Sequence, residues 1–260
     1  MDSVLRSGRF VAWGNAVLAG LVSPDTAAER IAGRDGGHRV LGWAGSDEDT
    51  LTVALARLRT AGVTGLRLAL PVPGDLLGLP GPAEFNVDAL DAGEAVLLDG
   101  PRPWGLVPRV GDEDPDDCVG IAVRWQAFAV NAGPGDPTSL AEAERELAET
   151  MRAVTDALDA LEVARWRPEA ADRISAIRSG RNGDLLAPGY PARAHRVLAL
   201  AQRVAAIAEL AADDDGAAFN VNGIAGRDAE LRALARAARR AQLAAYNAVA
   251  TGADQDLRFA

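Results

Sequence analysis

A proline- and glycine-rich segment, residues 71–82, carries the side chains best suited to a ligand site. It contains four prolines and three glycines, so its backbone is restricted. It follows a predicted parallel strand, Leu66–Val72, and ligands in open α/β sheets bind at the carboxyl ends of such strands. Asp75, the one charged residue of the segment, would accept a ligand hydrogen bond or act as a general base. The predicted ligand-binding residues are Gly74, Asp75, Asn86, Arg67 and Arg124.

The same segment also has a purely structural interpretation. Prolines stiffen a connection because they restrict the unfolded chain. In this interpretation Leu76, Leu77 and Leu79 pack onto the core, and the loop binds nothing. The two interpretations differ in whether the loop borders a cavity.

A second candidate for chemistry is a pair of arginines at the end of a predicted helix, residues 168–179. Arg178 and Arg181 flank Ser179-Gly180, and their guanidinium groups would bind a phosphate or carboxylate bidentately. The alternative is that arginines at a helix C-terminus only complement the helix dipole. We predict an anion site at Arg178 and Arg181 with that alternative left open.

Sequence motifs of known catalytic and cofactor sites are missing. The chain has no GxxxxGK[ST], HExxH, GxSxG or CxxC motif, and no GxGxxG follows a predicted strand. Its only histidines are His38, expected in a turn, and His195, expected on a helix surface. With Cys118 the only cysteine, a Cys/His zinc site lacks ligands, although a carboxylate site for magnesium or calcium stays open. We therefore assign no catalytic residue, cofactor or metal, and favour a protein that is not an enzyme.

Charge and cysteine content limit the partners and the compartment. The net charge is −10, and all 27 basic residues are arginine, so a broad nucleic-acid surface is not expected. A single cysteine forms no intrachain disulfide, which fits a cytoplasmic protein. The apolar stretch Phe10–Val22 after Arg6 and Arg9 suggests a targeting segment, but Asn15 interrupts it, and we expect a buried helix.

The residues before 135 alternate between helix and strand patterns. Helices are predicted at 4–20, from Ser23-Pro24 to Gly33, from a Ser46–Asp49 cap to about Ala61, and at 83–91. Strands are predicted at Arg39–Trp43, Leu66–Val72, Glu94–Leu98, Gly105–Val110 and Cys118–Val130. The first two strands should pair in parallel through a crossover, and the last two should form an antiparallel hairpin. The sequence thus predicts an α/β domain, residues 1–134, with a mixed sheet of about five strands.

The residues from 135 onward have helical periodicity. Leu140, Leu147, Met151, Val154, Leu158 and Leu161 form a coiled-coil-like seam, and Thr138 or Ser139 caps that helix. Further helices are expected at 168–179, 191–212 and 225–250, the last with a stripe of small inward residues that allows close packing. The whole chain is therefore predicted to be α+β, with an all-helical bundle as its second domain, residues 135–260.

Two functions follow from these patterns. The first is an interaction or scaffold protein that is not an enzyme and uses the bundle to self-associate or to bind a protein partner. The second is a small-molecule-binding protein or enzyme with its site between loop 71–82 and the bundle, because domain junctions favour pockets. Neither function requires nucleic acid or a membrane.

Overall fold

The chain has an α+β fold with two compact units. The computed structural model describes residues 5–76, 78–111, 121–133, 138–160, 186–213 and 221–248. The first unit comprises Met1–Pro137, Asp184–Tyr190 and Val249–Ala260, and the second comprises Thr138–Gly183 and Pro191–Ala248. Among the described residues, no helix is both long enough and apolar enough to span a bilayer.

The first unit is built on a mixed sheet of six strands, which confirms the predicted fold class. In chain order the strands are β1 His38–Trp43, β2 Ser46–Thr50, β3 Gly65–Ala69, β4 Ala95–Asp99, β5 Trp104–Gly111 and β6 Ala122–Ala129. Their order across the sheet is β2-β1-β6-β5-β4-β3. Only β1 and β6 pair in parallel, and the β5–β6 pair is antiparallel as predicted.

The predicted helix cap at Ser46–Asp49 is wrong, because these residues form β2. Ala44 and Gly45 both have positive φ, at 51° and 82°, and they turn the chain back so that Ser46 pairs with Trp43. Such two-residue turns match the twist of a hairpin. The helix begins only afterwards, at Leu51, and Thr50 caps it through the Val53 N–H.

The predicted parallel pairing of the strands near residues 40 and 68 is also wrong. β1 lies beside β6, whereas β3 lies at the far edge and pairs only with β4, in antiparallel orientation. Loop 71–82 therefore does not follow a parallel strand, and the argument that put a ligand site at that strand end does not hold.

Helices cover both faces of this sheet, but unequally. The first-unit helices are α1 Arg6–Leu18, α2 Pro24–Ala32, α3 Leu51–Arg57 and α4 Ala83–Ala92. The N-cap predicted for α2 is confirmed, since the Ser23 hydroxyl accepts from the Thr26 N–H and Pro24 is the first helical residue. α1 packs on one face, with Phe10 against Trp125 of β6 at 4.8 Å between ring centroids. α4 packs on the opposite face over β4 and β5, where Phe85 meets Val107 and Leu97.

The second unit consists, in its described part, of three long helices, α5 Leu140–Ala160, α6 Ala192–Asp213 and α7 Val221–Asn247. α7 packs against both α5 and α6. Ser139 is the cap of α5: its hydroxyl accepts from the Glu142 N–H, and the Glu142 carboxylate accepts from the Ser139 N–H, a reciprocal capping box. The predicted inward residues of α7 are all buried, namely Leu231, Leu234, Ala238, Ala241 and Ala245. The helix predicted at 168–179 lies outside the described residues.

Candidate functional site

Loop 71–82 is held by hydrogen bonds from the residues that were predicted to bind a ligand. Val72 and Asp75 exchange two backbone hydrogen bonds, of 3.1 and 2.9 Å, around a tight turn in which Gly74 has φ 82°. The Asn86 carboxamide oxygen accepts from the Gly81 N–H at 3.0 Å. The Asn131 side chain donates to the Pro80 carbonyl, also at 3.0 Å. These contacts use Gly74 and Asn86 to fix the loop itself.

The two arginines proposed for the same pocket do not meet there. Arg67 lies on β3 and forms a bidentate pair with Asp99, with N–O distances of 2.6 and 2.7 Å. This hydrogen bond raises the pKa of Arg67. Arg124 lies on β6, three strand spacings away, or about 14 Å. Arg178 and Arg181, the predicted anion pair, lie outside the described residues.

A partly buried ionisable cluster, not anticipated from the sequence, joins α1 to the start of β1. The Asp35 carboxylate accepts from Arg6 through Nε and Nη2, each at 2.9 Å, and from Arg9 at 3.3 Å. His38 Nε2 stands 3.5 Å from the same carboxylate, and its Nδ1 accepts from Trp125 Nε1–H at 3.2 Å. His38 is therefore a buried strand residue, which corrects the prediction of a turn histidine.

The environment of His38 keeps its imidazole neutral. Burial lowers the pKa of His38 from 6.5 to about 4, and the nearby charge of Asp35 offsets this only in part. With Nδ1 accepting a hydrogen bond, the ring proton is on Nε2. The His38 side chain is 1% exposed and both ring nitrogens face protein groups, so a substrate cannot reach it. His195 is an exposed residue of α6, as predicted.

Two further buried polar side chains fasten α1 to the sheet. The Glu94 carboxylate, at the start of β4, accepts from the Ser7 N–H at 2.8 Å and so satisfies the first turn of α1. Burial raises the pKa of Glu94, and the N–H groups of Ser7 and Arg6 oppose that rise. The Asn15 carboxamide donates to the Leu66 carbonyl at 2.8 Å and accepts from the Leu66 N–H at 2.9 Å. Asn15, which interrupts the apolar run of the sequence, thus binds the backbone of edge strand β3.

One half of the sheet face that carries α4 is open to solvent. From Val123 to Gln126 and from His38 to Leu41, the side chains alternate between buried on the α1 side and exposed or half-buried on the α4 side. α4 covers β4, β5 and the end of β6, where Phe85 packs against Phe128 at 5.8 Å between ring centroids. The uncovered half comprises Glu48, Thr50, Arg39, Leu41, Arg124, Gln126 and Arg109.

Three arginines stand side by side on this open face. Arg39 of β1 and Arg109 of β5 are the register partners of Arg124 of β6, one on each side, and we call these three residues the arginine row. Arg39 pairs with Glu48 at 3.2 Å, and Arg109 pairs with Asp88 of α4. The Arg124 side chain is exposed and forms no hydrogen bond or ion pair within the described part of the chain. The sequence pointed to Arg124, but not to its neighbours in the row.

The described residues hold no grouping of three or more His, Cys, Asp or Glu side chains arranged to bind a metal ion. Among these residues the buried ionisable groups of the first unit are His38, which accepts from the Trp125 indole, and Glu94, which accepts from the Ser7 N–H. The arginine row, by contrast, has charged side chains at the surface, with Arg109 and Arg124 exposed.

Comparison with known proteins matches residues 7–243 to the two domains of one family. Residues 7–140 match the model of the Rv1486c-like protein N-terminal domain, and residues 141–243 match that of the C-terminal domain. The chain is 31% identical over 240 residues to the uncharacterized protein Rv1486c of Mycobacterium tuberculosis. This alignment covers 77% of this chain and 80% of the relative. It is 27% identical over 281 residues to the uncharacterized protein ML1804 of Mycobacterium leprae, covering 91% and 94% respectively. No solved structure matches the chain. The chain belongs to the Rv1486c-like family.

Proposed function

We propose that this member of the Rv1486c-like family is a non-enzymatic interaction protein whose first unit presents a rigid sheet surface to a partner. The observation that carries the proposal is the use of the buried ionisable groups. His38 and Glu94 are buried and have shifted pKa values, as catalytic groups often do. Glu94 and Asp35 instead accept hydrogen bonds from α1, and His38 accepts one from Trp125 of the sheet.

The alternative, a small-molecule site at loop 71–82, has less support. Gly74 and Asn86 are occupied in holding the loop, and Arg67 is paired with Asp99. Leu79 packs against the core on the α4 side, as the structural interpretation of the loop expects. Asp75 is the predicted ligand group on which this alternative still depends.

The helical bundle provides a second surface for partners or for self-association. Arg232 and Arg236 occupy exposed positions one turn apart on α7, and neither forms an ion pair in the described part of the chain. The other arginines of the bundle are partly used internally, since Arg193 pairs with Glu144 at 2.6 Å and Arg240 with Glu146 at 3.6 Å. A cytoplasmic location accompanies this proposal, on the single-cysteine argument alone.

Light scattering and a ligand screen together test the proposed function. We expect the protein purified from its own cells to elute with a mass above the 27.0 kDa of one chain, as a homo-oligomer or with a bound protein. We also expect no metabolite to raise the thermal midpoint in a way that depends on Asp75.

Asp75→Asn is the variant for the ligand screen, because it removes the charge and keeps the shape. A metabolite that stabilises the wild type but not Asp75→Asn would replace the interaction function with a ligand-binding one. A mass of 27.0 kDa under all conditions would also count against the proposal.

A further inference from the structure

We propose that the arginine row, centred on Arg124, binds a short acidic segment of a partner protein. This inference rests on the proposed interaction function and names the site and the chemistry of the partner. It starts from an arrangement that the fold itself does not explain. Like charges directly opposite each other on neighbouring strands destabilise a sheet, yet Arg124 has an arginine on both sides.

The charges around the row leave one cation for a partner to neutralise. Glu48 offsets Arg39 on the β2 side, and Asp88 offsets Arg109 on the α4 side. Arg124 stands between these two ion pairs on an exposed position. A guanidinium group binds a carboxylate bidentately, so one acidic side chain suffices for the central position.

The shape of the surface favours an extended segment rather than a small molecule. Small-molecule sites are concave and bury most of the ligand. The open half of the sheet instead presents successive rows of side chains, with Leu41 and Gln126 in register next to the arginines. These half-buried residues offer an apolar contact and an amide group beside the charges. An extended peptide places alternate side chains on one face, about 7 Å apart, which matches such rows.

Charge also separates an acidic peptide from nucleic acid as the occupant. Nucleic-acid binding at physiological salt draws on contacts to many phosphates. The row holds three arginines, two of them already paired, in a chain of net charge −10. A short segment with a few carboxylates interacts mainly with the arginines next to it, because salt at physiological ionic strength screens interactions between exposed charges beyond about 8 Å. The net negative charge of the rest of the chain therefore does not prevent its binding.

Fluorescence anisotropy with a labelled peptide of alternating glutamate and serine tests the site on the full chain. Arg124→Gln should weaken binding about fivefold, the effect of one ion pair on an exposed surface. Arg102→Gln is the matched control, because Arg102 is exposed in the β4–β5 turn at the opposite end of β5 from Arg109. This control should bind the peptide as the wild type does.

Thermal denaturation distinguishes a binding role from a structural one. The Arg124 side chain forms no ion pair or hydrogen bond with a described group. Arg124→Gln should therefore leave the thermal midpoint unchanged, or raise it slightly because the repulsion between like charges is lost. Weaker peptide binding together with a lowered midpoint would make the row a structural feature and overturn the inference.

Two other outcomes would overturn the site or its occupant. Unchanged peptide binding by Arg124→Gln would show that the arginine row is not the binding site. The proposed interaction function would still hold in that case if light scattering gives a mass above that of one chain. A single-stranded oligonucleotide that binds more tightly than the peptide, and depends on Arg124, would replace the acidic segment with nucleic acid.

Discussion

Replacing His38 by asparagine should remove a large part of the acid sensitivity of the first unit. Asparagine keeps an acceptor near the position of Nδ1, so the hydrogen bond from Trp125 Nε1–H can persist. It has no titrating group. The variant therefore separates the protonation of this one side chain from every other effect of acid.

The magnitude follows from the pKa of His38, which burial lowers from 6.5 to about 4. Because the folded pKa is depressed, the unfolded chain binds the proton more readily, and stability falls as the pH drops below 6.5. Linkage gives a loss of about 2 kcal/mol at pH 5 and about 3 kcal/mol once the pH is below 4. These values are the expected differences between the two proteins after their stabilities are matched at pH 7.

Urea denaturation followed by tryptophan fluorescence measures this difference. Trp13, Trp43, Trp104 and Trp125 all belong to the first unit, so the signal reports mainly on the unit that contains His38. Wild type and His38→Asn should diverge between pH 7 and pH 5. Parallel loss of stability in the two proteins over that range would show that His38 is not the buried neutral group described above.

Three further substitutions test the contacts of α1 and α4. Glu94→Gln should gain stability relative to the wild type as the pH rises. Burial raises the pKa of Glu94, so the protonated Glu94 side chain stabilises the wild type at low pH and this stabilisation is lost as the pH rises above about 4.5. Thermal midpoints of the two proteins that stay parallel from pH 4 to 8 would contradict this. Asn15→Leu should cost about 2–3 kcal/mol in urea denaturation, since it leaves the Leu66 N–H and carbonyl without their partner, and a loss below 1 kcal/mol would mean that water replaces the amide. Gly105→Ala should cost about 1–3 kcal/mol because its Cβ would lie 2.3 Å from the Phe85 ring, and the added change Phe85→Leu should restore part of this loss if the clash is the cause.

Local signals in the sequence were sufficient for several elements of the fold. Ser23-Pro24 marks the start of α2, and the apolar spacing along α5 and α7 marks their inward faces. The run Ser46–Asp49 was misleading because serine followed by acids is also what a helix N-terminus contains. Residues 46–49 form a strand because of the turn at Ala44-Gly45. Alanine rarely adopts a positive φ, so the sequence did not indicate this turn.

The arginine row could not be predicted from the sequence, because it depends on the pairing of strands that are far apart along the chain. Arg39 and Arg124 are register partners although 85 positions separate them, and no local pattern encodes that pairing. Arg124 could be singled out as a polar residue within a predicted strand. The arginines beside it, and the carboxylates that neutralise those neighbours, become visible only once the strand order is known.

The contacts of α1 have a consequence for the order in which the chain acquires its structure. The helix is made before its partners, because Leu66 and Glu94 follow 51 and 87 residues after Asn15 and Ser7. Arg59, which donates to the carbonyl groups of Val17 and Leu18 at the end of the helix, also comes some forty residues later. Contacts so distant along the chain slow folding, and apolar surface that waits for them invites aggregation. Part of the apolar face of α1 must therefore stay uncovered until β6, whose Trp125 packs against Phe10, has been made, and this is the stage at which a chaperone would most benefit the nascent chain.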